Sequence, residues 1–290
     1  MLTGSIIGDI KWQFRYGNMV VKLIFVNIAV FAFFGLLNLV GFVAQTNTFY
    51  FFLLDHLQVT ASLHTLMYQP WSVFTYMFLH VGLLHILFNM LWLYWFGEIF
   101  VLYLGDKKVL PLYIIGGLAG ALLYILAYNT LPVFKPMLEG SYMLGASASI
   151  LAIVFGAATL NPDHEISLIL IGPVKIKYIA VFSLLLDVIN IPNGNAGGYI
   201  AHVGGALTGY LYITALRGGF DPFGSFVKLF KRKPAVKVSY KSTDARPGNT
   251  TARSKGEQEK VDEILDKIAR SGYDSLSKEE RDFLFNYSKK

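Results

Sequence analysis

The sequence predicts an all-α membrane protein: a bundle of six transmembrane helices followed by a small cytosolic helical hairpin at the C-terminus. Three observations carry this expectation. Hydrophobic residues are 54% of the chain and aromatic ones 15%, against 15% charged, which is too apolar for a soluble domain of 290 residues. Up to residue 216, apolar stretches close to the roughly 20 residues needed to cross a hydrocarbon core recur one after another. After Arg217 the chain turns basic and polar. The absence of Cys removes disulfides, thiolate metal sites and a Cys nucleophile.

Residues 1–19 are expected to form a cytosolic N-terminal segment, with Lys11 and Arg15 preceding the first apolar run. That run, near 21–43, is longer than a signal-peptide core and has no small-x-small cleavage site, so it reads as a retained first span. Residues 44–80 are rich in aromatics (Tyr50, Phe51, Phe52, Tyr68, Trp71, Phe74, Tyr76, Phe78) and almost without charge. Amphipathic rings settle at a membrane interface, so this connection is expected to lie partly embedded beside the bundle. Further spans fall near 81–104, 109–128, 144–160, 177–191 and 198–216. The last two are short or Gly-rich, as befits helices shielded by neighbours rather than by lipid. Residues 20–216 thus make one membrane domain.

Lys and Arg in short loops collect on the cytoplasmic side. With the N-terminus inside, Lys11, Arg15, Lys22, Lys107, Lys108, Lys175, Lys177, Arg217, Lys228, Lys231, Arg232 and Lys233 are all cytoplasmic, and Lys135 alone faces out. Both termini are therefore expected in the cytoplasm. Residues 217–256 read as a basic, flexible linker, with Ser, Thr, Pro, Gly and Asn following the Lys228 to Lys233 patch. In 257–290, Val261, Ile264, Leu265 and Ile268 recur at helical spacing. Gly272 fits a C-terminal cap, and Ser277 with Glu280 fits a capping box before Phe283 and Leu284.

Chemistry is suggested by polar residues inside apolar spans. His85 and Asn89 stand four apart on the second span, hence on one helix face, after His80 near its outer end. Ser147 comes about three residues into the fourth span, only a few Å below the outer boundary at ~1.5 Å per residue, and His202 is similarly early in the sixth. Four polar groups from three helices then share one layer. Ala148, Ala152 and Gly156, and likewise Ala201, Gly205 and Gly209, fall on small-xxx-small spacings that let two backbones nearly touch.

An activated hydroxyl, an adjacent base and donors aimed at the developing oxyanion are the parts of nucleophilic catalysis. Ser147 would attack, neutral His202 would take its proton, and His85, Asn89 and the Ser147 backbone N–H would stabilise the oxyanion. Activity should rise as His202 loses its proton. No acidic residue lies at this depth on these three helices, so a Ser-His dyad is expected. Ser149, some 200° further round the helix, is the rival nucleophile. Gly145 would leave room for the substrate backbone.

His85-Ile-Leu-Phe-Asn89, Gly145-Ala-Ser147-Ala and Ala201-His202-Val-Gly-Gly205, in this order, resemble the rhomboid family of intramembrane serine proteases over roughly residues 20 to 216. The resemblance implies a Ser147 nucleophile, a His202 base and an oxyanion site lined by His85 and Asn89. It implies single-pass transmembrane substrates cut near the outer membrane face, contact with membrane lipid, no nucleic acid and no cofactor. It further implies that the fifth span and the loop Ile191 to Gly198 act as gate and cap, with Gly194, Gly197 and Gly198 permitting motion. The chain departs from the family in carrying Ala148, where Gly is commoner, and in lacking a Trp-Arg pair in the first external loop. The tail resembles an appendage of some bacterial members, which implies the bacterial inner (plasma) membrane. A non-catalytic rhomboid-like binder of membrane proteins is the alternative. Transport is disfavoured because the polar layer lies near one face and no inverted repeat is visible. A zinc protease is disfavoured because no His-Glu-x-x-His occurs.

Overall fold

The computed structural model describes residues 5–168, 171–222, 224 and 253–287. It divides the chain into two compact units, residues 1–232 and 233–290. The basic patch at Lys228 to Lys233 and most of the expected linker lie outside the described residues.

The first unit opens with α1 (Ile6–Tyr16) and α2 (Met19–Val43). Asn18 caps α2 by accepting the Val21 N–H at 3.1 Å, and its amide donates to Glu98 at 2.7 Å. Asp106 accepts the Met19 N–H, so the start of α2 is tied to the turn after the next long helix.

The aromatic connection 44–80 is a structured module. It holds α3 (Thr48–Leu57), β1 (Val59–Thr60), α4 (Leu63–Tyr68), α5 (Ser72–Thr75) and a turn of 3-10 helix at Tyr76–Phe78. Its Tyr76 hydroxyl and Met77 carbonyl find partners in the bundle. The Tyr76 hydroxyl donates to the Gly117 carbonyl at 2.6 Å, and Tyr113 donates to that of Met77 at 2.7 Å.

Next come α6 (Leu83–Leu104), α7 (Val109–Thr130), β2 (Tyr142–Met143), α8 (Ser147–Leu160), β3 (Glu165–Leu168), β4 (Gly172–Lys175), α9 (Ile176–Asn190) and α10 (Ala196–Arg217). Among the described residues, two small antiparallel ribbons, β1 with β2 and β3 with β4, stand between the helices. The first ribbon pairs Val59 with Met143, which ties the aromatic module to the approach of α8.

Among the described residues, four segments are long and apolar enough to cross a membrane: Met19–Val43, Leu83–Leu104, Asp106–Thr130 and Ile176–Asn193. Of the other two expected spans, α8 is apolar but has only 14 residues, and α10 is long but rich in glycine. Both sit among the other helices. In α8, ten residues from Ala148 to Ala158 are buried, and α10 buries Gly197, Gly198, Gly204, Gly205 and Gly209. The nearly enclosed α8 needs small side chains more than a lipid-facing surface, whereas α10 keeps Leu207, Tyr210 and Leu211 exposed on one face.

The helices approach to backbone contact. A Cβ at Gly205 would stand 2.0 Å from the Ala148 carbonyl oxygen, and one at Gly209 would stand 2.1 Å from that of Ala152. From α7, a Cβ at Gly116 would meet the Ala152 methyl at 2.3 Å. One at Gly120 would meet the Ala148 methyl at 2.7 Å, so Gly120 makes the room that a side chain at position 148 takes up. The alanine stripe of α8 is held between glycine stripes of α7 and α10.

The second unit holds α11 (Arg253–Ser271) and α12 (Lys278–Tyr287). The first begins four residues before the expected boundary at 257. It ends where the Gly272 N–H reaches the Ile268 carbonyl at 2.9 Å, with Gly272 at φ +78°. The capping box is formed: the Ser277 N–H donates to the Glu280 carboxylate at 2.7 Å, and the Glu280 N–H donates to Ser277 Oγ at 3.3 Å. Val261, Ile264 and Leu276 are buried, whereas Leu265 is exposed.

Candidate active site

Ser147 is the first residue of α8, and the loop before it is tightly specified. Gly145 has φ +131°, which a residue with a Cβ rarely adopts. A Cβ there would also stand 3.1 Å from the His85 ring. This replaces the reason expected from sequence: glycine is needed at 145 for its backbone conformation and for the imidazole packed over it. The Gly145 N–H donates to the Tyr76 carbonyl at 3.0 Å, so the aromatic module fixes the turn that presents Ser147.

Ser147 Oγ lies 2.6 Å from His202 Nε2. The contact joins the first turn of α8 to the second turn of α10, and the glycine-alanine packing below it sets the separation. Ser149 is fully buried with its hydroxyl 3.9 Å from Met77 Sδ, on the far side of α8 from His202. The two serines point apart, as two steps along a helix require.

The other ring nitrogen departs from expectation. His202 Nδ1 lies 2.8 Å from Asp187 Oδ2, and Asp187 belongs to α9. The carboxylate comes from the fifth expected span, not from the three helices that carry Ser147, His202, His85 and Asn89. The geometry adds a carboxylate neighbour to the expected Ser-His pair. An ionised Asp187 would accept from an Nδ1–H, which would leave the Nε2 lone pair to accept the Ser147 hydroxyl.

These residues line a cavity of about 500 Å³ together with His85, Asn89, Gly145, Ser183, Asn195 and Trp92. Asn89 is buried, and its amide donates to the His85 carbonyl at 3.0 Å. The backbone N–H groups of the first helical turn, that of Ser147 included, have no intrahelical acceptor by position and face the same end of α8. His80 is buried, with its ring centroid 5.1 Å from that of His85.

The loop over the cavity is a 3-10 turn, Ile191–Asn193, followed by Gly194 at φ +105° and Asn195 at φ +44°. Gly194 is the one glycine of the expected flexible set that lies in this loop. Gly197 and Gly198 are already helical, and a Cβ at Gly197 would meet the Tyr124 ring at 2.7 Å. Gly197 therefore serves close packing.

The opposite end of α8 is polar and basic. Arg217 donates to the Thr159 and Leu160 carbonyls, Lys175 and Lys177 both pair with Asp163, and Lys108 pairs with Asp221. The two lysines hold the Asp163 carboxyl below its ordinary value. Among the described residues no group of three or more His, Asp and Glu side chains is arranged to hold a metal ion.

Comparison with known proteins places a Rhomboid domain over residues 67–218, and a family of unknown function over residues 251–290. Two curated relatives are similar to this chain. RHOMBOID-like protein 12, mitochondrial, of Arabidopsis thaliana is 28% identical over 166 residues, covering 54% of this chain and 47% of that protein. Presenilin-associated rhomboid-like protein A, mitochondrial, of Danio rerio is 26% identical over 174 residues, covering 59% and 42% respectively. The chain spans less than half the length of either relative. Both are named as mitochondrial, so they lend no support to the bacterial plasma membrane or to an orientation of the termini.

Proposed function

Because the chain belongs to the rhomboid family, we propose that it is an intramembrane serine endopeptidase that cleaves single-pass transmembrane proteins. The observation that carries this reading is the 2.6 Å approach of Ser147 Oγ to His202 Nε2 at the wall of a cavity lined by His85 and Asn89. In the proposed reaction the Ser147 oxygen attacks the scissile carbonyl carbon as its proton passes to Nε2. The negative charge on the carbonyl oxygen is met by the Ser147 N–H, the Asn89 amide and His85. Collapse of the tetrahedral adduct expels the amine, which takes the proton from Nε2, and water then hydrolyses the acyl-enzyme by the same route.

A peptide inside a helix has its carbonyl tied up in backbone bonding, so the substrate must unwind locally before attack. The cavity lies at the end of α8 remote from Arg217 and the lysine-rich loops. With six crossings by α2, α6, α7, α8, α9 and α10, the charge bias supports a cut near the face opposite the basic loops, with both termini on the basic side.

The test is cleavage of a single-pass substrate co-reconstituted in liposomes. The wild-type chain is expected to cut it, and Ser147→Ala and His202→Ala are each expected to abolish product. Full activity in Ser147→Ala rejects the assignment, and substrate capture without product by the wild-type chain supports the non-catalytic alternative.

A further inference from the structure

We propose that Asp187 is a positioning residue for catalysis, holding His202 as the Nδ1–H tautomer with Nε2 aimed at Ser147; this rests on the protease reading above. The contacts run unbroken across three helices. Asp187 Oδ2 on α9 is 2.8 Å from His202 Nδ1, and His202 Nε2 on α10 is 2.6 Å from Ser147 Oγ on α8. Both side chains of the acid-base pair are mostly shielded, with 16% and 18% of their surface exposed, so their attraction is weakly screened by water.

The surroundings of Asp187 argue that the pairing is its purpose. It is the sole acidic residue of Ile176–Asn193, a segment apolar enough to span a membrane, between Leu186 and Val188. A carboxylate in such a segment is expensive unless it is paired, and among the described residues His202 is its hydrogen-bond partner. Ser183, one turn earlier on the same helix, also lines the cavity but bonds the Ala180 carbonyl, so it does not compete for the ring.

The other groups around His202 cannot do the same work. Tyr199, on its own helix, packs edge-on with ring centroids 6.2 Å apart, and His85 approaches from α6 on the Ser147 side. The partner that Nδ1 meets at hydrogen-bond distance is Asp187. Without a carboxylate the imidazole can flip or take the other tautomer, placing an N–H where Ser147 needs a lone pair. With it, the positive charge that the ring gains when it takes the Ser147 proton is met by an adjacent negative charge. The acid therefore acts on the chemical step and not on substrate binding.

The experiment compares wild-type chain, Asp187→Asn and Asp187→Glu in liposomes, with rates expressed per Ser147 that titrates with a fluorophosphonate, so that any misfolded fraction drops out. Asp187→Asn is expected to lower kcat by about 10²-fold, the lower end of what proton transfer by a positioned group contributes, with KM changed by less than about threefold. Ser147 should react with the fluorophosphonate correspondingly more slowly, and Asp187→Glu should recover part of both rates. Wild-type kcat and labelling in Asp187→Asn overturn the inference, as does a loss confined to KM. Ser147→Ala separates the two claims. If it is inactive while Asp187→Asn is normal, only the positioning role fails; if it cuts normally, the protease reading fails first.

Discussion

Ser147 and Ser149 carry the same side chain two positions apart, and their surroundings assign them opposite tasks. Ser147 faces an imidazole at 2.6 Å across a cavity, whereas Ser149 is sealed against Met77 beside α7. Ser149→Ala should therefore leave the cleavage rate within about threefold of wild type, since a substitution away from the reacting atoms perturbs the site only indirectly. Product formation in liposomes checks this, and a dead Ser149→Ala with an active Ser147→Ala would reverse the assignment. Asn89→Ala should lower kcat by about 10²-fold or more, the usual effect of deleting one oxyanion donor, and the ratio of kcat to KM effects would show whether the amide acts in the transition state. Ser147, His202, His85 and Asn89 were legible because each is a polar residue at a matched depth in an apolar run. Asp187 was equally visible as a lone acid among Leu184, Leu185, Leu186, Val188 and Ile189. Its partner was not, because depth along separate helices does not say which faces meet.

At the scale of elements, the site depends on how closely α8 can be held by α7 and α10. Gly116→Ala should destabilise the folded chain by about 1–3 kcal/mol, because its methyl would meet that of Ala152 at 2.3 Å. Adding Ala152→Gly should recover much of the loss, and thermal unfolding of the two single variants and the double variant in detergent measures the coupling. Additive losses would show that the contact is relieved elsewhere. The spacing of these small residues was readable, but the sequence did not show that α8 is gripped from two sides, which follows from burial of its whole circumference. A separate element responds to pH. Lys267 and the Ser277 N–H hold the Glu280 carboxyl below its ordinary value of 4.5. A lowered folded value means that these bonds contribute fully above the unfolded value and are lost as pH falls through the folded one. Protection of the first turn of α12 in hydrogen exchange should thus weaken below about pH 4.5 in the full chain and be insensitive to that range in Glu280→Gln. Equal pH responses in both would exclude this carboxylate as the cause.

At the scale of the whole molecule, the chain is two compact units, and the proposed catalytic residues all belong to the first. Removing residues 253–290 should leave cleavage of a liposome-embedded substrate within about threefold of wild type, as for a module with its own core. A loss beyond tenfold would show that the hairpin supports the membrane unit. The sequence by itself determined the class of molecule, because apolar length and charge bias are local properties that a bilayer reads directly. It likewise determined the capping box of the tail, since Ser277 and Glu280 meet within one helical turn. Only the tertiary structure decided that residues 44–80 build a module anchoring the turn before Ser147, through the bond from Gly145 to the Tyr76 carbonyl. It alone brought Asp187 to His202, 15 residues apart in sequence. Such contacts depend on how helices rotate and cross, which neighbouring backbones and glycines fix and which no single segment encodes.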